Sequence, residues 1–293
     1  MKQIFFFLSL LVSGLTSAQF QGMAVYESKT STGDFSAQMR GNRDITPEMQ
    51  KMIEERMKKM FEKTFILNFD QTASIYKEEE KLDAPGQASG MRMMSSMMGG
   101  GGTYYKNVKE KTYTVDREFM GKEFLVKDTL TNIKWKMEGE TRVIGGYTCF
   151  KATAVMPASK TDFRNYRPRG DKKDDKKEEK KEEPRQTNFM DQVELPKEIV
   201  VTAWYAPEIP VNQGPEGYWG LPGLILEVND GKTTILCSKI VLNPKEKAEI
   251  KAPAGGKTVT QAEYDETVTK KMEEFREMGA QGGRPGMQMR MGR

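Results

Sequence analysis

The side chains with the clearest chemical potential in this sequence are thioethers. The chain holds 21 methionines, and two groups stand out: Met91, Met93, Met94, Met97 and Met98 within "MRMMSSMM", and Met287, Met289 and Met291 within "MQMRM". Thioether sulfur is a soft donor suited to Cu(I), and Met-x-Met spacing lets several sulfurs converge on one ion. Both tracts are glycine-rich, which argues against a place in a packed core. Copper binding is therefore one function the sequence supports. The structural alternatives are an adaptable surface for partner contact and an oxidisable tract without a dedicated ligand.

Two cysteines, Cys149 and Cys237, complete the sulfur chemistry, each in an apolar strand-like pattern ("GYTCFKATAV" and "TTILCSKIV"). A disulfide between them is one expectation for an exported chain. Two buried free thiols are the other, because a bridge needs Cα atoms within about 7 Å of each other. Histidine is absent altogether. That excludes Ser-His and Cys-His triads, His-ligated zinc and imidazole acid–base catalysis. The carboxylates lie in charge runs or on expected exposed faces, with no spacing that isolates an acid–base pair. No catalytic residue is expected, and no cofactor apart from the copper alternative.

Charge narrows the partners. Lys and Arg number 46 against 42 Asp and Glu, a formal net charge of +4. Much of this lies in "DKKDDKKEEKKEEPR" (171–185), where alternating like pairs cancel and leave no basic stripe for nucleic acid. The block reads as a solvated loop.

The first residues set the compartment. Lys2 is followed by the apolar run "IFFFLSLLVSGL" and by small residues ending at Ala18. This pattern predicts a cleavable secretory signal peptide over 1–18. The run is shorter than the roughly 20 apolar residues a membrane span needs, and no later stretch approaches that length. A periplasmic location is expected, with secretion as the alternative. The remainder reads as one β-rich domain over 19–278 with low-complexity inserts at 86–102 and 160–196, then a flexible Met/Gly/Arg tail at 279–293.

The elements that would carry these residues are mostly strands. Period-two alternation recurs in "GMAVYESKTS", "DFSAQMRG", "FILNFDQTASIYKEE", "TYYKNVKEKTYTVDREFMGKEFLVKDTL", "IKWKMEGETRVIGGYTCFKATAVM", "KEIVVTAWYAPEI", "LPGLILEVND" and "KTTILCSKIVLN". About ten strands joined by short turns predict a mainly β fold, a single antiparallel curved sheet or half-barrel. Two amphipathic helices interrupt it. One spans 46–61, with Thr46 as N-cap, Pro47 at the first helical position and an apolar face of Met49, Met52, Ile53, Met57, Met60 and Phe61 that is either laid over the sheet or offered as a Met-rich surface to an apolar ligand or partner. The other opens on "TQAE", a Thr260–Glu263 capping box, and docks through Tyr264, Val268, Met272 and Phe275.

The most distinctive stretch is "EGYWGLPGLILEV" (216–228). Gly220 and Gly223 bracket a proline that fixes φ and lacks an N–H, which suits a turn entering the buried strand "LILEV". The alternative is a ligand or partner surface formed by Trp219, Leu221 and Pro222 of this loop together with Trp204, which precedes it in the chain. The longer run "VVTAWYAPEIPVNQGPEGYWGLPGLILEVNDG", with "RVIGGYTCFKATA" upstream, resembles the defining segment of the GLPGLI family of exported bacterial proteins, and the order of strands resembles that family too. The resemblance implies a periplasmic protein of two-membrane bacteria whose gene neighbours encode TonB-dependent receptors or barrels. It implies no activity. The expected role is a non-enzymatic envelope accessory or binding protein whose partner is an outer-membrane or periplasmic protein or an apolar ligand.

Overall fold

The computed structural model describes residues 20–31, 61–79, 102–162, 164, 167–168 and 193–281, and the single positions 46, 48, 49, 51, 52, 55 and 58. Among the described residues fourteen strands run in chain order: β1 (Gln21–Thr30), β2 (Glu62–Asp70), β3 (Ala73–Glu78), β4 (Tyr104–Asn107), β5 (Thr112–Phe119), β6 (Lys122–Thr129), β7 (Lys136–Ile144), β8 (Tyr147–Pro157), β9 (Arg167–Pro168), β10 (Val193–Glu194), β11 (Glu198–Ala206), β12 (Leu224–Asn229), β13 (Thr233–Leu242) and β14 (Lys257–Val259). The helix α1 (Gln261–Gln281) follows.

Twelve strands form one open, curved sheet in the order β14-β6-β5-β4-β3-β2-β1-β13-β12-β11-β8-β7. The pairing is antiparallel except that β14 joins β6 in parallel. Four strands of two to four residues, β4, β9, β10 and β14, are too short to show a period and raise the count beyond the ten the alternation predicts. Among the described residues β9 and β10 pair only with each other, with Val193 opposite Pro168, and so bring together the ends of the charged insert.

Local chemistry explains the hairpins. β5 and β6 turn through Met120 and Gly121, β7 and β8 through Gly145 and Gly146, all at positive φ. Two-residue turns with both φ values positive match the right-handed twist of the strands they join.

One face of the sheet is buried and the other wet. Tyr26, Leu67, Tyr76, Val115, Val126, Val201 and Ala203 share the buried face. Val143, Val155 and Val200 on the opposite face are 69, 60 and 62% exposed. This one-sidedness is typical of antiparallel sheets.

Helix α1 starts as its capping box predicts. The Thr260 N–H donates to Glu263 Oε2 at 2.8 Å and the Glu263 N–H to Thr260 Oγ1 at 3.3 Å. Tyr264, Val268 and Met272 pack on Phe119, Phe124, Val126 and Val259, with the Tyr264 ring edge-on to Phe124. The Phe275 side chain lies outside the described part. At the other expected helix, positions 48, 49, 51, 52, 55, 58 and 61 are helical and Met49 N–H donates to Thr46 Oγ1 at 3.3 Å. Met49 and Met52 are nearly half exposed, however, so they do not cover the sheet as expected. The expected signal peptide, the strand at 34–41 and both methionine tracts lie outside the described residues. Among the described residues no helix is long and apolar enough to cross a membrane.

Candidate functional site

The residues between β11 and β12 fold back over the buried face of the sheet. Ile209, Val211, Gln213 and Leu221 are buried there. Backbone bonds from Leu224 N–H to Ile209 O and from Ile225 N–H to Gln213 O, both 3.0 Å, stitch this segment to the start of β12. The hexapeptide is the hinge of that fold-back. Gly220 takes φ +94, and a Cβ on Gly223 would lie 2.4 Å from the Ala206 carbonyl oxygen. Only glycine fits either place. Leu221, Leu224, Ile225 and Leu226 are then fully buried, each contributing about 1.5–3 kcal/mol of apolar transfer. The Tyr26 hydroxyl donates to Ile225 O at 2.7 Å and ties the hinge to the centre of the sheet.

A buried lysine holds the next part of the loop. Lys106 on β4 is 1% exposed, and its Nζ donates to the carbonyls of Gly214, Glu216 and Tyr218 at 2.7, 2.9 and 2.9 Å. Burial lowers its pKa to about 7, with the Glu216 carboxylate pulling the other way. Glu216 sits at φ +46, and its side chain turns outward to Arg164, 2.9 Å from Nη1. Asp162 meets the same guanidinium at 2.8 Å. Burial alone would raise the Asp162 pKa, but Arg164 holds it below the usual carboxylate range.

Between this loop, the sheet and α1 lies a groove of about 1060 Å³. Its floor is aromatic: Phe65 stacks on Tyr76 with centroids 4.7 Å apart, and Tyr104 stacks on Tyr113 at 5.3 Å. Burial pushes the Tyr113 hydroxyl up to about 12 and also raises those of Tyr76, Tyr104 and Tyr218, so all four stay protonated at neutral pH. The far wall is the polar side of α1, where Asp265, Thr269 and Glu273 recur at helical spacing. Among the described residues two buried polar atoms in the lining have no hydrogen-bond partner: the hydroxyl of Tyr76, a residue 3% exposed, and Nε of Arg117. The Arg117 guanidinium lies 5.4 Å from the centroid of the Tyr264 ring.

The residues expected to form a ligand surface lie elsewhere. Leu221 belongs wholly to the core, which corrects its assignment to a surface: the apolar side chain that follows the hinge is drawn inward with the strand it leads. Trp204 packs against the core and under the Arg142 guanidinium at 4.4 Å. Trp219 donates to Thr131 O and receives the Trp135 Nε1–H on its own carbonyl, both at 2.9 Å. Pro222 is exposed. None of the four lines the groove, whereas Glu216, Gly217 and Tyr218 beside them do. Cys149 and Cys237 are buried free thiols in one apolar cluster rather than a disulfide, and burial pushes them up to about 11 and 12. The methionines Met91, Met93, Met94, Met97, Met98, Met287, Met289 and Met291 lie outside the described residues.

The groove residues left a sequence signal that is easy to pass over. Alternation along β5 puts Arg117 on the same face as Tyr113, Val115 and Phe119. A cation at an inward position of an otherwise apolar series marks a buried or cleft-lining charge.

Residues 135–227 match the model of a family described as a protein of unknown function, Porph_ging. The match begins at Trp135, includes the whole fold-back loop and hexapeptide, and ends within β12. No curated protein matches the chain. Two solved structures of PNGF-II, in C2 and P21 space groups, superpose with TM-scores of 0.43 and 0.44 at 12% and 13% identity. Those matches cover 86% of this chain and 33% of theirs, so the chain spans about a third of their length.

Proposed function

We propose that the chain is a non-enzymatic accessory or binding protein of the cell envelope, exported to the periplasm, that holds a ligand in the groove between α1 and the loop ahead of the hexapeptide. The groove itself carries this reading. It is of ligand size, has an aromatic floor, and is shaped by a loop that Lys106 fixes through three carbonyls. The hexapeptide and its neighbours favour membership of the GLPGLI family, and the expected signal peptide favours the periplasm. An outer-membrane TonB-dependent receptor or barrel is the partner that resemblance suggests.

The test is recovery of a tagged full-length chain from native envelope, with co-purifying small molecules and proteins identified by mass spectrometry. Thr269→Trp places an indole at the groove wall on an exposed helical position. Val200→Asp changes the opposite face. A species retained by wild type and Val200→Asp but lost from Thr269→Trp supports the reading. Equal recovery with Thr269→Trp, or loss with Val200→Asp alone, overturns it.

A further inference from the structure

Resting on that reading of the groove, we infer that its occupant is an amphipathic monoanion, with an apolar body on the Phe65–Tyr76 and Tyr104–Tyr113 stacks and a single oxyanion head taken by Arg117 and the Tyr76 hydroxyl. Around the floor the acidic groups already have partners. Asp162 and Glu216 both pair with Arg164. Asp265 Oδ1 accepts from Thr161 Oγ1 and Gln261 Nε2, both at 2.8 Å. Asp230 Oδ1 accepts the N–H groups of Lys232 and Thr233 at 2.9 and 2.6 Å. Glu266 and Glu273 stand on exposed positions of α1.

Arg117 is different. Among the described residues no salt bridge engages it, although its charge helps Arg164 to lower the Asp162 pKa, and its Nε–H is buried without an acceptor. Tyr264 lies with its ring against the guanidinium and its hydroxyl hydrogen-bonded to it, but offers no countercharge. A cation held in an apolar-floored cleft with an unused donor is complementary to an oxyanion. The Tyr76 hydroxyl is a second orphan on the same floor. It belongs to β3 beside β4, opposite Tyr104, and Tyr104 in turn faces Val115, two residues from Arg117 on β5. A buried donor without an acceptor costs about 1–3 kcal/mol, so a head group that satisfies two of them gains more than one placed on the wet rim. The floor beyond them is apolar, which suits a body of hydrocarbon.

Titration calorimetry of the purified full-length chain with laurate below its micelle concentration tests this, with dodecyl phosphate, dodecanol and dodecyltrimethylammonium as companions. Laurate or dodecyl phosphate is expected to bind at least about tenfold more tightly than dodecanol, with the cation weakest. Which of the two anions binds better tells a carboxylate head from a phosphate head. Arg117→Met is expected to remove most of that preference while Arg117→Lys keeps part of it, and Tyr76→Phe to weaken anion binding a few-fold. Val200→Asp should bind as wild type, and circular dichroism of each variant verifies the fold. Dodecanol binding as tightly as both anions, or Arg117→Met leaving the preference intact, overturns the head-group assignment while Thr269→Trp still abolishes binding. Laurate binding that survives Thr269→Trp overturns the groove reading itself.

Discussion

At the scale of single residues, Lys106 shows how one buried charge can shape a loop. Its ammonium replaces water with three carbonyls, and three acceptors at 2.7–2.9 Å offset part of the desolvation cost of burying it. Lys106→Met would leave those carbonyls without a donor, and an expected loss of about 2–4 kcal/mol follows from the usual cost of orphaned buried acceptors. A second consequence concerns pH. The folded-state pKa of about 7 lies below the unfolded value of 10.5, so between those limits the unfolded chain binds a proton the folded one has released. Stability contributed at this site therefore rises with pH across that window and is least below pH 7. Urea unfolding at pH 7 and pH 9.5 should show wild type gaining on Lys106→Met at the higher pH. A gap that stays the same instead would mean that the three carbonyls hold the proton on Lys106 throughout.

At the scale of elements, the hexapeptide works through two different glycine requirements. Gly220 supplies a positive φ, and Gly223 supplies room against the Ala206 carbonyl. Gly223→Ala drives a Cβ into backbone rather than into a yielding side chain, and is expected to cost about 1–3 kcal/mol, the range for overpacking. Thermal unfolding checks it, and a melting temperature equal to that of wild type would show that β12 can shift away from β11. These local features were legible in the sequence because each is written within a few residues. The Gly-Pro hinge, the Thr260–Glu263 box and the Met120–Gly121 and Gly145–Gly146 turns all depend on neighbours in the chain. The groove was not legible in the same way. Its floor needs Tyr76, Tyr104, Tyr113 and Arg117 from three different strands together with Arg164 and Glu216 from two loops, and alternation reports which face a residue takes but not which strand lies beside it.

At the scale of the whole molecule, the decisive pairing joins the first strand to the thirteenth. β1 lies inside the sheet, between β2 and β13, and its ladder with β13 runs from Gly22 opposite Leu242 to Thr30 opposite Thr233. Strand order of this kind cannot be read from local pattern, which predicts an opening strand pair at the start of the chain rather than a partner more than 200 residues away. It also makes the sheet one cooperative unit. Without β13, β1 loses one neighbour, β12 loses the other side of its ladder, and the β7-β8-β11-β12 group is severed from the rest. A chain ending at residue 232 should accordingly fail to give the near-ultraviolet circular dichroism of the packed tyrosines and tryptophans, and should be digested rapidly by protease. Removal of 169–192 behaves in the opposite way, because β9 and β10 already hold the ends of that segment together. Replacing it with a short Gly-Ser turn shortens a closed loop and is expected to leave stability unchanged or raised by about 1–2 kcal/mol, given the weak logarithmic cost of loop length. Compared side by side in urea, the insert deletion should unfold in a single transition like the full chain, and the truncation should show none. A cooperative transition in the truncated chain would divide the sheet into two independently folding halves and remove the common floor on which the groove is built.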